Sequence, residues 1–555
     1  MTCSRSSTGL SDRYINPLST RETIRKLVQR TIRRLPRLLI NTTTGHLYNK
    51  AEQASAFETL PIFNELVSSM TTRIDRSRIK WEVRQFFRYV MFSHTWEDNE
   101  PLFQQVIQMT VYDLEKSPTH DKLQTFCKIV RDSGFKWAWS DTCCISKSDH
   151  FILQEALVAM FKWYQHAAVV IIFLRGVRSS SRRGALMKSI WNTRAWTLQE
   201  YIAAKVVHFY TEDWTPYLDL QLPNHKLSPE IISEMEEATG ISTQQLMTLR
   251  PGLTSIREKL CLASTRRTTL VEDAAYSLLG IFSAAGISAI YGEGEVSLGR
   301  LLANVLTRSG DVSVLAWTGE PSRFNSCLPA HITVFNRPAT SHLPPCIPDS
   351  EMEQAITVSH APSFNLDVAL RLYDRLNELP TSRFAESRLT LPCIAFRLPA
   401  FTSYRTSSGR VYRADTPTFG VLEIRTRHDL SRMGPLYLAH PWLDTLLERQ
   451  DSGVFLEDEE DNSDKDTDDE RLSEPESLSL PPPVHAAPID RETGARRLAV
   501  RLRQPFGALL LAVVSTRGHA LDCRRVAADS LVTVRFQENV LLSDILDNVR
   551  TVDVL

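Results

Sequence analysis

Ala168-Val-Val-Ile-Ile-Phe-Leu174 is apolar at seven consecutive positions and rich in β-branched residues. The run is too short for a buried helix of ordinary length. As a strand it is apolar on both faces, so both faces have to be covered. The flanking chain repeats the arrangement. Tyr89-Val-Met-Phe92, Trp137-Ala-Trp139 and Lys205-Val-Val-His-Phe-Tyr210 read as strands. Glu100 to Leu114, Asp121 to Ser133, Phe151 to Tyr164 and Trp191 to Ala204 carry apolar residues at helical spacing. Apolar strands alternating with helices predict a parallel α/β sheet between about Arg88 and Trp214.

The 555 residues leave room for several further segments. Residues 1–36 read as a disordered start followed by a basic helix, Arg21 to Leu35. Its apolar face is Ile24, Leu27, Val28, Ile32 and Leu35, with Arg25, Lys26, Arg30, Arg33 and Arg34 around the rest. Such a helix either lies on a membrane or partner surface or docks by its apolar side. Residues 37–87 are expected to be an N-terminal extension packing on the α/β domain. Short strands at Arg37 to Ile40 and His46 to Tyr48 flank the turn-like Asn41-Thr-Thr-Thr-Gly45. The α/β domain spans 88–215. Residues 216–310 read as helical, with candidate helices at Pro229 to Glu237, Val271 to Ala284 and Val296 to Thr307. Residues 311–450 and 491–555 read as one β-rich region, carried by Leu389 to Leu398, Thr418 to Arg425, Leu498 to Leu502, Ala508 to Val514 and Ser530 to Phe536. A disordered linker at 451–490 interrupts it. The acidic run from Glu457 to Glu470 and the triplet Pro481-Pro-Pro483 keep that linker from burying enough apolar surface to fold.

A formal net charge of -1 gives no general affinity for nucleic acid. The nine cysteines are odd in number and contain no C-x-x-C pair, which argues against a metal centre or a disulfide framework. Reduced thiols in the cytoplasm are the expectation. Met1 to Arg13 lacks the apolar stretch of a secretory signal. The longest apolar runs, Ala167 to Leu174 and Phe506 to Val514, fall far short of the roughly 20 residues a membrane-spanning helix needs.

Ligands of a parallel α/β sheet bind at the carboxyl ends of its strands. Ser93-His-Thr-Trp96 follows the first strand, Asp141-Thr-Cys-Cys-Ile145 the second, and Arg175-Gly-Val with a Ser/Arg-rich loop the third. The helix beyond that loop carries Arg194, Trp196 and Glu200, the last two a turn apart on one face. Hydroxyls, an imidazole, aromatic rings and carboxylates thus gather at one edge. The set suits a polar ligand with a flat ring, such as a nucleotide base with its ribose. Each residue also has a plainer reading. Glu200 can be salt-bridged to Arg194 or Lys205. The tryptophans can be core or rim, Asp141 can cap its loop, and Cys143 and Cys144 can be inert core thiols. Ser93 and His94 are neighbours on a strand and point to opposite faces, and no Gly-x-Ser-x-Gly elbow surrounds Ser93, so a serine hydrolase does not fit. Tyr291-Gly-Glu-Gly-Glu295 lacks the Lys-Ser/Thr ending of a phosphate loop.

The same residues carry a resemblance. Tyr89-x-x-Phe-Ser-His-Thr-Trp96 resembles the opening motif of the fungal heterokaryon incompatibility (HET) domain. Trp139-x-Asp-Thr-Cys-Cys-Ile145, continuing through Glu155 and Met160 to Tyr164, resembles its central motif, and Arg194-Ala-Trp-Thr-Leu-Gln-Glu200 its third. Glu272-Asp-Ala-Ala-Tyr-Ser-Leu-Leu-Gly-Ile-Phe282 with Tyr291-Gly-Glu-Gly-Glu295 is similar to a segment that often follows the domain. The resemblance covers about 88–215, and more loosely extends to 310. Ser146-Lys147 departs from it, standing where an acidic residue or Asn followed by Gln is usual.

HET domains are in turn similar to TIR domains, which have a flavodoxin-like fold. In TIR enzymes that cleave NAD, a Trp-x-x-x-Glu turn supplies the catalytic glutamate. The resemblance therefore implies Glu200 as catalytic residue, Trp196 as its motif partner and NAD as substrate; with Trp196, the residues gathered at the same sheet edge, Ser93, His94, Trp96, Asp141 and Arg194, are expected to bind that substrate, and no metal or resident cofactor is expected. It further implies a cytoplasmic protein of non-self recognition and regulated cell death. Such a protein would self-assemble through its α/β domain, answer to an unidentified incompatibility partner, and bind no nucleic acid. The alternative is a signalling module that works by contacts alone.

Overall fold

The computed structural model describes residues 14–15, 17–68, 74–240, 242–243, 251–253, 256–284, 286–336, 365–406, 409–442, 490–517, 520–529 and 532–555. The expected disorder of the first residues and of the 451–490 linker falls outside these residues, apart from 14–15, 17–20 and residue 490. The chain divides into two compact units, Met1–Leu301 and Leu302–Leu555.

The first unit is built on a six-stranded sheet. Its strands are β1 (Leu38–Asn41), β2 (Leu47–Asn49), β3 (Tyr89–Ser93), β4 (Trp137–Trp139), β5 (Val169–Leu174) and β6 (Val207–Thr211), in the spatial order β2-β1-β4-β3-β5-β6. The last four are parallel, with Met91 opposite Trp139 and Val170, and Ile172 opposite Phe209. All residues of β3 and β4 and all but one of β5 are buried, as the continuous apolar runs require. Strand order reverses between β3 and β5, and α/β sheets take their ligands outside the carboxyl ends of the strands at such a reversal.

The sheet is not wholly parallel. The β1–β2 hairpin joins it antiparallel, on the free edge of β4. Its turn is made by Asn41, whose Oδ1 accepts from the Thr43 and Thr44 amides. Gly45 at φ +76° closes it, in a conformation that costs glycine nothing. Tyr48 and Phe86 pack edge-on against the buried Trp137, at centroid separations of 5.5 and 5.7 Å, so the 37–87 segment grips the sheet through this ring.

Helix α1 (Pro17–Arg33) docks by its apolar side: Ile24, Val28, Ile32 and the following Leu35 are buried, while Arg25, Lys26, Arg30 and Arg33 are exposed. Helices α2 (Pro118–Asp132) and α3 (His150–His166) lie where helical spacing predicts them. Ser117 and Asp149 cap their first turns through side-chain oxygens.

Three expected helices are corrected. Glu100 to Leu114 holds only a turn at Phe103–Val106 and a 3-10 turn at Val111–Asp113. Glu100 is drawn inward to pair with Lys122 and cannot lie on a solvated helix face. Trp191 to Ala204 is two helices, Ile190–Thr193 and α4 (Trp196–Ala203). Arg194 between them is extended, because the backbone there pairs with Arg267 instead: Ala195 N donates to Arg267 O, and Arg267 N to Thr193 O. Val271 to Ala284 is helical only at Asp273–Tyr276 and continues as turns.

The second unit is β-rich. Arg388–Arg397 pairs with Leu436–Pro441 and Val549–Val554. Val549–Val554 pairs with Ala520–Val526, which pairs with Phe506–Arg517, which returns to Leu436–Pro441. These five strands close into a ring, so strands on either side of the acidic segment share one sheet. Phe396, Leu438, Leu510 and Val549 belong to its core. One expected strand is corrected: Leu498 to Leu502 belongs to the helix Arg491–Leu502. Asp490 caps that helix, and Ala495, Leu498, Ala499 and Leu502 bury one face of it at helical spacing. Among the described residues, no helix is long and apolar enough to cross a membrane, and no cluster of His, Cys, Asp and Glu could hold a metal ion.

Candidate functional site

Ser93 is the last residue of β3, at the strand-order reversal. Its Oγ donates to Glu200 Oε2 and accepts from Trp191 Nε1 at 2.8 Å. Glu200 arrives from α4 and is only 7% exposed. Tyr164 of α3 lies against it as well, its hydroxyl donating to the Phe92 carbonyl at 3.2 Å. Burial, then the nearby charge of Asp141, push the Glu200 carboxyl up to about 8; the hydrogen bond from Ser93, the charge of Arg266 and the hydrogen bond with Tyr164 oppose them. Glu200 therefore holds its proton at neutral pH. Its partners are Ser93 and Tyr164, and neither Arg194 nor Lys205.

The other expected residues divide among three neighbouring groups. Trp96, 42% exposed, donates through Nε1 to Asp141 Oδ2 at 2.8 Å. Lys147 places its Nζ 3.0 Å from the Trp96 ring centroid. His94 is buried, stacks on Phe92 at 4.3 Å, and has Nε2 3.7 Å from Glu100 Oε1. Lys122 lies between Glu100 at 2.5 Å and Glu97 at 3.0 Å, and Arg175 reaches Glu97 at 3.1 Å. Burial works against the Glu100 charge, but His94 and Lys122 outweigh it and hold that carboxyl below its usual range. Trp196 and Arg194 turn the other way. Trp196 hydrogen-bonds Asp273, and Arg194 Nη1 donates to Thr269 Oγ1 at 3.4 Å. The structure thus brings Ser93 and Glu200 together, and Trp96 with Asp141. It sets His94, Arg194 and Trp196 in separate contacts.

Four residues that were not among the expected site residues hold the arrangement. Trp191 donates to the Ser93–Glu200 pair, Tyr164 lies against it, and Lys147 covers Trp96. Arg266 is the fourth. Its Nη1 donates to Arg194 O and Thr197 Oγ1, both at 2.9 Å, and its Nη2 to Asn192 Oδ1 at 3.0 Å. It fixes the break before α4 from which Glu200 descends. Burial lowers its guanidinium to about 10, against the pull of Glu200. Only spacing to the third motif could have flagged Trp191, and nothing in the sequence marks Arg266. The Glu272 to Glu295 segment has a structural explanation. Glu272 Oε1 accepts from the Gly292 and Gly294 amides at 2.8 and 2.9 Å, and Tyr276 Oη donates to Ile290 O at 2.9 Å. The loop is clamped by these bonds, and Tyr291 donates to Asp273 beside Trp196.

Residues 89–186 match the family described as Heterokaryon incompatibility protein (HET). That stretch carries the first two motifs and ends before Trp191 and Glu200. Among curated proteins, the vegetative incompatibility protein HET-E-1 of Podospora anserina is 34% identical over 228 residues, covering 38% of this chain and 16% of the relative. The chain therefore spans a small part of that relative's length. No solved structure matches it. The family match falls on the α/β unit, whose residues 89–186 are thus similar to the HET family.

Proposed function

We propose that this protein acts in fungal non-self recognition, as an effector of vegetative incompatibility and regulated cell death, and that its HET-like unit does so by hydrolysing NAD on self-assembly. The observation that carries the reading is the buried Ser93–Glu200 pair, which joins the first motif to the third at the strand-order reversal. The order of the four parallel strands, second-first-third-fourth along the chain, supports the flavodoxin-like reading of the sheet. The matches to the HET family and to HET-E-1 support the incompatibility role.

The chemistry follows from Glu200. Breaking the nicotinamide–ribose bond releases neutral nicotinamide and leaves oxocarbenium character on the ribose. An ionised carboxylate beside that carbon stabilises the charge and holds the ribose hydroxyls. Water adds to the carbon and loses its proton, giving ADP-ribose, nicotinamide and H⁺. Glu200 can do this only as an anion. In the buried state it is protonated at neutral pH, so the resting unit is held off. Assembly that admits water to the site lowers the carboxyl towards its ordinary range and turns it on.

The test is purified protein fused to an oligomerising tag, with NAD followed over time. NAD loss is expected only on assembly and is abolished in Glu200→Gln. Loss that persists in that variant removes Glu200 as catalyst, and no loss under any assembly condition refutes the enzyme reading. One observation favours a second reading, a signalling module acting by contacts: Glu200 is satisfied internally, as a residue sealing a core would be. On that reading Glu200→Gln retains toxicity in cells.

A further inference from the structure

The Trp96 ring, three residues beyond Ser93, is 42% exposed, with its indole N–H committed to the Asp141 carboxylate. A carboxylate on the ring edge enriches the π face, and an enriched face attracts cations more strongly. That face is occupied. Lys147 Nζ lies 3.0 Å from the ring centroid, is buried, and makes no hydrogen bond. A buried ammonium without acceptors is costly, so ring and nearby carboxylates are what hold it. Lys147 belongs to the loop between β4 and α3, and carries its ammonium on a flexible four-carbon stem.

We propose that Trp96 and Asp141 form a platform for a planar aromatic cation, and that Lys147 is its built-in plug, which a pyridinium ring must displace to bind. Taking that cation to be the nicotinamide ring of NAD rests on the function proposed above; the exchange of one cation for another on Trp96 does not. The ring is suited to the ligand in two ways: its exposed area admits a flat partner, and Asp141 at its edge supplies the countercharge. A neutral ring does not replace the charge that Lys147 withdraws from beside the carboxylate.

The experiment is calorimetric titration of the full chain with 1-methylnicotinamide, a permanent pyridinium cation, and with neutral nicotinamide. Lys147→Gln is expected to bind the cation about tenfold more tightly than the unmodified protein, the size of a desolvated cation–π contact. Neutral nicotinamide is freed of the same displacement but not of repulsion by the Lys147 charge, so its gain should be clearly smaller than that of the cation. Lys147→Arg keeps a cation on the ring and should remain closed. Adding Trp96→Leu to Lys147→Gln should erase the gain. A Lys147→Gln protein that gains nothing, gains equally for the neutral ring, or keeps its gain without Trp96 overturns the proposal. A second measurement needs no variant. In the unmodified protein, 1-methylnicotinamide should raise acetylation of Lys147 by acetic anhydride, read by peptide mass spectrometry; unchanged reactivity also overturns it. If the titrations hold and assembled protein still leaves NAD intact, the platform stands and the enzyme reading falls.

Discussion

Glu200 keeps a proton that its unfolded counterpart gives up. In the folded chain its carboxyl titrates at about 8; unfolded, it returns to the ordinary value of 4.5. The raised value fixes the sign. Any stability tied to the protonated form is fully present below pH 4.5 and is lost as pH rises through about 8. Glutamine keeps the shape and the neutral state without a proton to lose. Glu200→Gln is therefore expected to melt close to the unmodified protein at pH 5 and above it at pH 8, by an amount on the order of a few kcal/mol. Calorimetric melts at pH 5, 6.5 and 8 check this, and a constant difference across the series contradicts the buried protonated carboxyl. The same substitution is expected to abolish NAD loss, so one variant separates stability from chemistry. It should be the more stable protein at pH 8 and the inactive one.

At the scale of elements, close approach decides more than propensity. Gly280 packs directly against Phe161 of α3; a Cβ there would collide with the Phe161 Cβ and stand 2.5 Å from its Cγ. Phe161 is itself buried, so the ring cannot step aside. Gly280→Ala should destabilise the first unit by about 1–3 kcal/mol, the usual cost of overpacking. A melting temperature within error of the unmodified protein would mean α3 shifts freely. Strands β3, β4 and β5 were legible in the sequence because burial on both faces leaves an unbroken apolar run, and β6 because Val207 and Phe209 alternate with half-buried residues; both signals are local to the strand. The break before α4 was not. It depends on Arg267 pairing with the backbone at Thr193 and Ala195, and on Arg266 filling the gap, from a segment more than sixty residues away. Leu498 to Leu502 looked like a strand because its alternation fits both periods; the Asp490 cap and the burial of Ala495 decide for helix. In the site, Ser93 and Glu200 were legible through motif order. The turn of Trp196 and Arg194 towards Asp273 and Thr269 was not, since those partners come from the later segment. Lys147 was visible only as a departure from the family pattern; its place on Trp96 needed the fold.

For the whole molecule, the family match and the folding unit have different boundaries. Residues 89–186 contain β3, β4 and β5, three of the six strands in the sheet. They lack β6, which pairs with β5 along its length, and the β1–β2 hairpin, which covers β4. They also lack Trp191, Glu200 and Arg266. A fragment of 89–186 would leave two apolar strand edges bare, and bare edges pair with other chains. It should aggregate or show no cooperative transition. A fragment of 14–310 keeps all six strands and the Glu272 clamp, and ends beyond the helix Val296–Ser309 instead of cutting it at the unit boundary. It should be monodisperse, melt in one cooperative step, and keep Lys147 guarded from acetylation as in the full chain. If the HET-like unit is the effector, its tagged assembly should also consume NAD without residues 311–555. A fragment of 14–310 that melts cooperatively but consumes NAD only when those residues are restored would place an essential part of the active assembly in the second unit.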